Sequence, residues 1–576
     1  MPRLRLALGQ LNPVVGDLAG NSRRIVDAAR RASARGADLL AFGEMAISGY
    51  PIEDLASRPG FLSDCHEAVV NLATELQDAG LGELAVIVGH PDGPFEPRLF
   101  GTSNAPTAIA QNCASVLQHG RVAARYAKHH LPNYSVFDEY RIFIPGDELL
   151  VLRIKSVDVA VIVCEDLWRD GGPLARVLEA DAGLLVVINA SPFERDKNEV
   201  RLPLVTRRAV ETDTTVAYVN IVGGQDDLVF DGDSVVVDGA GTILARAPQF
   251  VEHLLVVDLD VSAASETVLP HRVTRIVLAD SADPQDSLET DLATLPDDRE
   301  QVWNALVLGL RDYVNKNGFR SVILGLSGGI DSAVCAAIAA DALGGDRVWG
   351  VSMPSRYSSD HSCSDADALA ENLGLHYSTE AIADLVLPIE MQLGLTGTAA
   401  ENVQARVRGI ILMGLSNLDG HLVLTTGNKT ELSVGYSTIY GDSAGGFAPI
   451  KDVPKTLVWE LARWRNDAAT ARGEVPPIPA NSIDKPPSAE LRPDQTDQDS
   501  LPPYELLDGI LDAYISRALG REDVVALGFD AETVDFVTTL VDHSEWKRRQ
   551  GAIGPKISGM AFGRDRRLPI TYRPTR

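Results

Sequence analysis

The stretch RSVILGLSGGIDSAVCAAIAADALG, residues 320–344, decides half of the fold. Val322, Ile323 and Leu324 run into a turn holding Gly325, Gly328 and Gly329, and an alanine-rich segment of helical character follows. Strand, glycine loop and helix in that order open a doubly wound α/β domain with a parallel sheet. Glycines let the main chain approach an anion closely, and the helix start turns unpaired amides towards it. The loop 325–332 (Gly325, Leu326, Ser327, Gly328, Gly329, Ile330, Asp331, Ser332) adds two hydroxyl donors and a carboxylate able to hold magnesium. It fits neither GxxxxGKS/T nor GxGxxG, which excludes the P-loop NTPase and dinucleotide-fingerprint readings.

Working outward, 576 residues are too many for one core, so two or more domains are expected. Apolar residues make up 45%, an ordinary globular share. No apolar run approaches the ~20 residues that span a bilayer. The opening MPRLRLALGQLNP alternates basic and apolar residues as a strand does and has no h-region. A soluble, cytoplasmic protein without a membrane partner is expected. The five cysteines, at 65, 113, 164, 335 and 363, show neither CxxC nor Cys/His spacing. Neither a disulfide framework nor a zinc site follows from them. A net charge of −28 argues against nucleic acid, so anionic substrates must be met by a few local cations and amides.

Residues 1–275 read as strands alternating with helices. RLRLALGQL is a strand, and NSRRIVDAARRASARGADLL is a helix with Asn21 as its N-cap. ELAVIVGHP, DVAVIVC, GLLVVINAS and TTVAYVNIVG are short apolar runs, as in strands covered on both faces, and DSVVVDGAGTILARA is a hairpin. A mixed-sheet sandwich with helices outside is expected. Residues 276–300 read as a linker, polar and without periodicity from 281 onwards. Residues 301–576 form the second domain, in which the Pro- and Asp-rich stretch 475–503 reads as a mobile loop.

SGGIDS after a strand resembles the pyrophosphate loop of the ATP pyrophosphatases, which cleave ATP between its α and β phosphates. ENVQARVRGIILMG (401–414), TTGNKTELSVGYSTIYGDSAGGFAPIKDVPKT (425–456) and EWKRRQ (545–550) together resemble NAD synthetase, over the whole of 301–576. By that resemblance Thr426 and Lys455 contact ATP, as does the loop 325–332. Glu431 joins Asp331 at Mg2+, and Asn402, Glu431 and Lys547 serve deamido-NAD. Ile439, before YGD, departs from the lysine of compact ammonia-dependent relatives.

In the first half, DVAVIVCEDLW (158–168) ends a strand in Cys164 followed by two acids, which cannot activate a thiol because like charge raises its pKa. A nucleophilic thiol needs a base, and amide hydrolysis needs an oxyanion donor. LLAFGEMAISGYP supplies Glu44 and RYAKHHLPNYSVFDEYRIF supplies Lys128, each just after a strand. Glu, Lys and Cys in that order resemble the nitrilase superfamily, whose fold is an αββα sandwich. The resemblance makes Cys164 the nucleophile, Glu44 the general base and acid, and Lys128 the oxyanion donor. Glu139 matches a second acid of the superfamily and is expected to position Lys128 or the substrate. Tyr134, Ser191 and Lys197 align with groups that hold glutamine, and Glu165 is placed to read its α-ammonium. A sharp turn is expected at Cys164, since a straight strand would send Glu165 to the opposite face.

A nitrilase-like amidase joined to an NAD synthetase domain resembles the glutamine-dependent NAD synthetases. The resemblance implies ATP, Mg2+, deamido-NAD and L-glutamine as reactants or cofactors, no prosthetic group, and a homo-oligomer. Ammonia released at Cys164 would travel sheltered to an adenylated deamido-NAD. Two alternatives stand beside this: another pyrophosphatase-type glutamine amidotransferase, and a glutamine-sensing module without turnover.

Overall fold

Alternation along the strands of the first half sets up two cores. In β1 (Arg3–Gln10), β2 (Leu39–Phe42) and β3 (Ala85–Asp92), one set of side chains (Leu4, Leu6, Leu8, Leu39, Ala41, Ala85, Ile87) enters a central core. The intervening Ala7, Leu40, Phe42, Val86 and Val88 enter a second core, against the helices Leu18–Ala34 and Pro59–Asp78. The period of two along each strand produces this division. Strands β4 (Gln111–Gln118), β5 (Arg121–Ala127), β6 (Leu149–Ile154), β7 (Val157–Val163), β8 (Leu184–Asn189) and β9 (Thr215–Asn220) follow. A hairpin of β10 (Val222–Gln225) and β11 (Leu228–Asp231) comes next, then β12 (Val235–Val237), β13 (Ile243–Arg246), β14 (His253–Asp260) and β15 (Val273–Val277).

This is a computed structural model, and it describes residues 2–96, 108–265, 268–280, 288, 290–493 and 495–573. The chain divides into one unit of Met1–Gly223 and Phe230–Pro296, and another of Gly224–Val229 and Asp297–Arg576. In the first unit a six-stranded sheet has the order β14-β1-β2-β3-β4-β5 and a seven-stranded sheet the order β13-β12-β9-β8-β7-β6-β15. Both are mixed: β1, β2 and β3 run parallel, as do β7, β8 and β9, with antiparallel neighbours outside. The sheets share the central core, and the helices Gly172–Glu179 and Asn198–Thr212 add Leu174, Val177, Val205 and Ala209 to it. The expected αββα sandwich is present.

In the second unit β16 (Val322–Gly325), β17 (Val348–Ser352), β18 (His376–Thr379) and β19 (Leu422–Val423) form a parallel sheet in the order β18-β17-β16-β19. The chain winds one way from β16 to β18 and returns on the other side to β19. The glycine loop therefore leaves β16 at the point where strand order reverses, the usual ligand crevice of such sheets. Helix Ile330–Leu343 carries Ala333 to Ala339 fully buried, as an alanine-rich helix inside a domain must be.

Two local expectations change. The helix near the N-terminus starts at Leu18, capped by Asp17, whose side chain accepts from Gly20 N at 2.9 Å. Asn21 lies inside the helix, and its buried amide donates to Val14 O and Ile47 O, which fastens a loop rather than a helix end. The stretch 475–503 is not a structureless loop. It buries Ile478, Ile483 and Leu501, contains the short helix Ala480–Asp484 and sends Lys485–Leu491 along a cavity wall. Its proline and aspartate content concealed those apolar anchors. Of the expected linker, 281–287 and 289 lie outside the described residues; β15 reaches Val277 and the next helix begins at Asp298.

Candidate active sites

The first site gathers at strand ends of the sandwich. Gly43 and Gly89 bring the end of β2 against its neighbours: a Cβ on Gly89 would stand 2.4 Å from Met45 N. Glu44 N then reaches Asn189 O at 3.2 Å, and Ala190 N donates to Glu44 Oε2 at 3.0 Å. Lys128, just beyond β5, places its Nζ 2.7 Å from Glu44 Oε1 and 2.8 Å from Glu139 Oε2. All three side chains are buried. Asn112 Nδ2 donates to Glu44 Oε1 at 2.6 Å, and Tyr50 Oη donates to Glu139 Oε1 at 2.9 Å.

Cys164 follows β7 with φ 45° and ψ −96°, and the helix Glu165–Trp168 starts at once. The expected sharp turn is there, and a positive φ at a residue with a Cβ is strain of the kind found at functional sites. Burial, with Glu44 adding to it, pushes the thiol well above its ordinary pKa, and Lys128 acts against that rise. The resting group is therefore a thiol, which needs a base to take its proton. Burial lowers the Lys128 pKa, but the Glu139 and Glu44 carboxylates outweigh it and the net shift is upward, so the ammonium is firmly charged. Burial lifts Glu139 to about 7 against the pull of Lys128.

The residues expected around a bound amide are placed as follows. Glu165 is buried and accepts from Tyr134 Oη at 2.7 Å and from Arg169 Nε at 2.8 Å. Tyr134 is half exposed, with the Arg169 guanidinium over its ring. Ser191 is buried, its N donating to Asn220 Oδ1 at 2.8 Å. Lys197 stands half-buried at the start of the helix Asn198–Thr212. Tyr50, Asn112 and Arg169 were missed in the sequence; only the GYP turn after Glu44 hinted at the first.

The second site is a cavity of about 300 Å³ in the second unit. Gly325, Leu326, Ser327, Gly329, Ile330, Asp331, Thr426, Glu431 and Lys455 all line it. Gly328 turns the loop with φ 74°, and a Cβ there would meet Ser362 O at 2.3 Å, so glycine is required. Ser332 Oγ closes the loop by bonding Gly329 O at 3.0 Å. Lys455 Nζ lies between Asp331 Oδ2 and Glu431 Oε1, the latter at 3.1 Å. Burial lowers the Lys455 pKa, yet those two carboxylates raise it overall; burial lifts Glu431 to about 7.

Asn428 organises the pair of acids. It caps the helix Lys429–Val434 in a box with Glu431, and its Nδ2 donates to Asp331 Oδ1 at 2.8 Å. The sequence NKTE carries that capping box, a signal that was available. Arg408, Asp442, Lys485 and Glu490 also line the cavity and were not singled out. Asn402 Oδ1 accepts from Thr438 Oγ1 at 2.8 Å, and Lys547 Nζ donates to Gly435 O and Ser437 O at 2.8 and 3.0 Å. Both brace the turn beside the cavity. Ile439 offers its carbonyl to Arg406 Nε at 3.3 Å, which sets a guanidinium beside the position that lacks a lysine side chain.

Asp331 and Glu431 are the carboxylates expected to hold magnesium. Both are oxygen donors that converge on one cation, Lys455 Nζ, and both reach the cavity. No group of three or more His, Cys, Asp or Glu suited to a metal exists among the described residues. Two carboxylates with phosphate oxygens and waters completing the shell are what Mg2+ uses, so the donor set fits.

A buried Glu–Lys–Cys amidase on an αββα sandwich and a pyrophosphate loop on a doubly wound sheet define a glutamine amidotransferase of the ATP-pyrophosphatase class. Comparison with known proteins agrees at each half: residues 5–268 match the carbon–nitrogen hydrolase family and residues 302–551 match NAD synthase. The chain is 47% identical to the glutamine-dependent NAD(+) synthetase of Xanthomonas campestris pv. campestris, with 99% of this chain and 97% of that one covered. It is 43% identical to that of Thermotoga maritima, with 100% and 99% covered. The solved glutamine-dependent NAD+ synthetase of Acinetobacter baumannii, in complex with ADP, matches with a TM-score of 0.71 at 38% identity over 99% of this chain and 98% of that one. The chain belongs to the glutamine-dependent NAD(+) synthetase family, ligases that use ATP.

Proposed function

We propose that the two sites divide the reaction as their residues suggest. At the first, Cys164 Sγ attacks the carboxamide carbon of L-glutamine while Glu44 takes the thiol proton. Lys128 Nζ–H holds the oxyanion of the tetrahedral intermediate, and Glu44 returns the proton to the departing ammonia. Water, deprotonated by Glu44, then opens the thioester and releases glutamate. Glu139 keeps Lys128 in place, and Tyr134, Glu165, Ser191 and Lys197 hold the amino-acid end of glutamine, with Arg169 beside them for its carboxylate. The Lys128 contacts to Glu44 and Glu139 at 2.7 and 2.8 Å carry this reading.

At the second site the nicotinate carboxylate of deamido-NAD attacks the α-phosphate of ATP, giving the adenylate and pyrophosphate. Ammonia then attacks the activated carbonyl and displaces AMP, giving NAD+. The loop 325–332, Thr426 and Lys455 bind ATP, and Asn402, Glu431 and Lys547 place deamido-NAD. The Acinetobacter relative was solved in complex with ADP, which supports an adenine nucleotide as a ligand of this chain. Asp331 and Glu431 would hold Mg2+, which supplies positive charge at the phosphates when bound.

A cytoplasmic homo-oligomer completes the reading. No helix among the described residues is long and apolar enough to cross a membrane. Exposed Leu387 and Met391, one turn apart on one helix, and Ile410 and Leu418 on the next, offer apolar surface for a second copy.

Cys164→Ala assayed with two nitrogen donors tests the division. Glutamine-dependent NAD+ formation is expected to disappear while ammonium-dependent formation continues. Equal loss with both donors would refute separate roles for the two sites.

A further inference from the structure

Two acids follow the nucleophile, and they do different things. Glu165 meets Tyr134 and Arg169. Asp166 is fully buried and meets the chain itself. Its carboxylate accepts from Tyr126 Oη at 2.7 Å, His130 N at 2.8 Å, His129 N at 3.2 Å and Val163 N at 3.3 Å. Tyr126, His129 and His130 flank Lys128, and Val163 precedes Cys164. One carboxylate therefore joins the segment carrying the oxyanion donor to the turn carrying the thiol.

The choice of donors is informative. Asp158, buried on β7, is met by the guanidiniums of Arg153 and Arg275. Those are flexible side chains, and they neutralise charge without fixing the main chain. Asp166 is met by three main-chain amides, which cannot move unless the backbone moves, and by a buried phenol. Burying a carboxylate is expensive unless its bonds are satisfied, and this one raises its own pKa through burial while the hydrogen bonds oppose the rise. Such an arrangement is retained where geometry matters. Lys128 has four side-chain torsions to fix, and Cys164 sits at φ 45°, a conformation that persists only when its surroundings over-determine it.

We propose that Asp166 is a positioning residue of the glutaminase reaction: it locks the Lys128 strand end to the Cys164 turn and thereby sets the distance between oxyanion donor and nucleophile. It touches neither substrate nor the reacting atoms. The proposal rests on the glutaminase reading of the Cys164 site.

The test uses the full-length protein and three variants: Asp166→Ala, Asp166→Asn and Tyr126→Phe. Asp166→Ala is expected to lower the glutaminase kcat by about a hundredfold, the size of effect that misplacement by about 1 Å produces. KM for glutamine should stay within about threefold, because the amino-acid end is held by other groups. Asp166→Asn keeps acceptance from the His129 and His130 amides but turns an NH2 towards Val163 N–H, so an intermediate loss of about tenfold is expected. Tyr126→Phe removes one of four donors, with an expected loss of about threefold.

A second readout separates positioning from mere stability. Iodoacetamide inactivation of Cys164, followed against pH, should slow and shift its midpoint to higher pH in the aspartate variants, because Lys128 no longer supports the thiolate. Lost stability alone would lower the unfolding temperature and leave that midpoint in place. Ammonium-dependent NAD+ formation should remain, which shows an intact second site. Wild-type kcat and midpoint in a folded Asp166→Ala protein would overturn the proposal. If that variant is insoluble, wild-type kcat and midpoint in both Asp166→Asn and Tyr126→Phe would overturn it equally. Failure of the underlying reading looks different: wild-type protein would release no glutamate from glutamine.

Discussion

Each site holds one buried lysine between two carboxylates, and the surroundings of the two trios differ. Lys128, Glu44 and Glu139 are exposed by only 1%, 1% and 2%. Lys455 is equally hidden at 1%, but Asp331 and Glu431 are open by 19% and 17% to a cavity of about 300 Å³. In the first case both carboxylate partners of the lysine are already buried, so the electrostatics proposed to act on an oxyanion exist before substrate arrives. In the second, the carboxylates keep a face towards the cavity, where phosphates and a hard cation can join them. The same three groups make a closed arrangement in one unit and an open one, with room for substrates, in the other.

Replacing each lysine separates the two arrangements, and Lys128→Met should have the larger effect. It removes the proposed oxyanion donor and leaves two buried carboxylates facing one another. Glutamine hydrolysis should fall by about a thousandfold or more. Breaking a fully buried ion pair also destabilises by about 3–5 kcal/mol, so the unfolding transition of the first unit should drop. Ammonium-dependent NAD+ formation, measured below that transition, should persist. A variant that hydrolyses glutamine at the wild-type rate would remove Lys128 from the mechanism.

Lys455→Met comes next. Both nitrogen sources should lose about a hundredfold in NAD+ formation, since a cation beside the phosphates is gone. The stability change should be smaller than for Lys128→Met, because water already reaches Asp331 and Glu431. Calorimetry of the two variants side by side checks the order. A larger stability loss in Lys455→Met would break the contrast drawn between a closed trio and an open one.

Which parts of these sites could be seen in the sequence follows from the same contrast. Glu44, Lys128 and Cys164 each end or follow an apolar run, and the loop 325–332 stands between a strand and a helix, so local pattern reveals them. Asn112 and Tyr50 act through partners 68 and 89 positions away, and Asp166 through donors 36 to 40 positions away besides Val163, which no window of sequence contains. Asn428 was within reach, because its capping box spans four residues. The stretch 475–503 reads as a loop for a compositional reason: proline and aspartate dominate it, while its burial depends on Ile478, Ile483 and Leu501. Architecture was legible from period and punctuation, whereas the second layer of each site depends on register between strands.

Glu139→Gln makes the smallest and most discriminating change, because it removes one charge from the closed trio while keeping its shape. Burial holds Glu139 at about 7 in the folded protein, against an ordinary value of 4.5. Between those two values the folded chain keeps a proton that the unfolded chain has released. Stability must then fall as pH rises across that window, and it levels off above it. In Glu139→Gln nothing titrates at this position, so the fall contributed by residue 139 should vanish. Unfolding temperatures of both proteins, taken from pH 4.5 to 8, should converge on the acid side and part towards neutrality, with the variant higher. Glutamine hydrolysis should drop by only about tenfold, since Glu44 still orients Lys128 and remains the base. Equal pH slopes in the two proteins would mean that Glu139 is ionised throughout, and the first trio would then carry two full negative charges around its lysine.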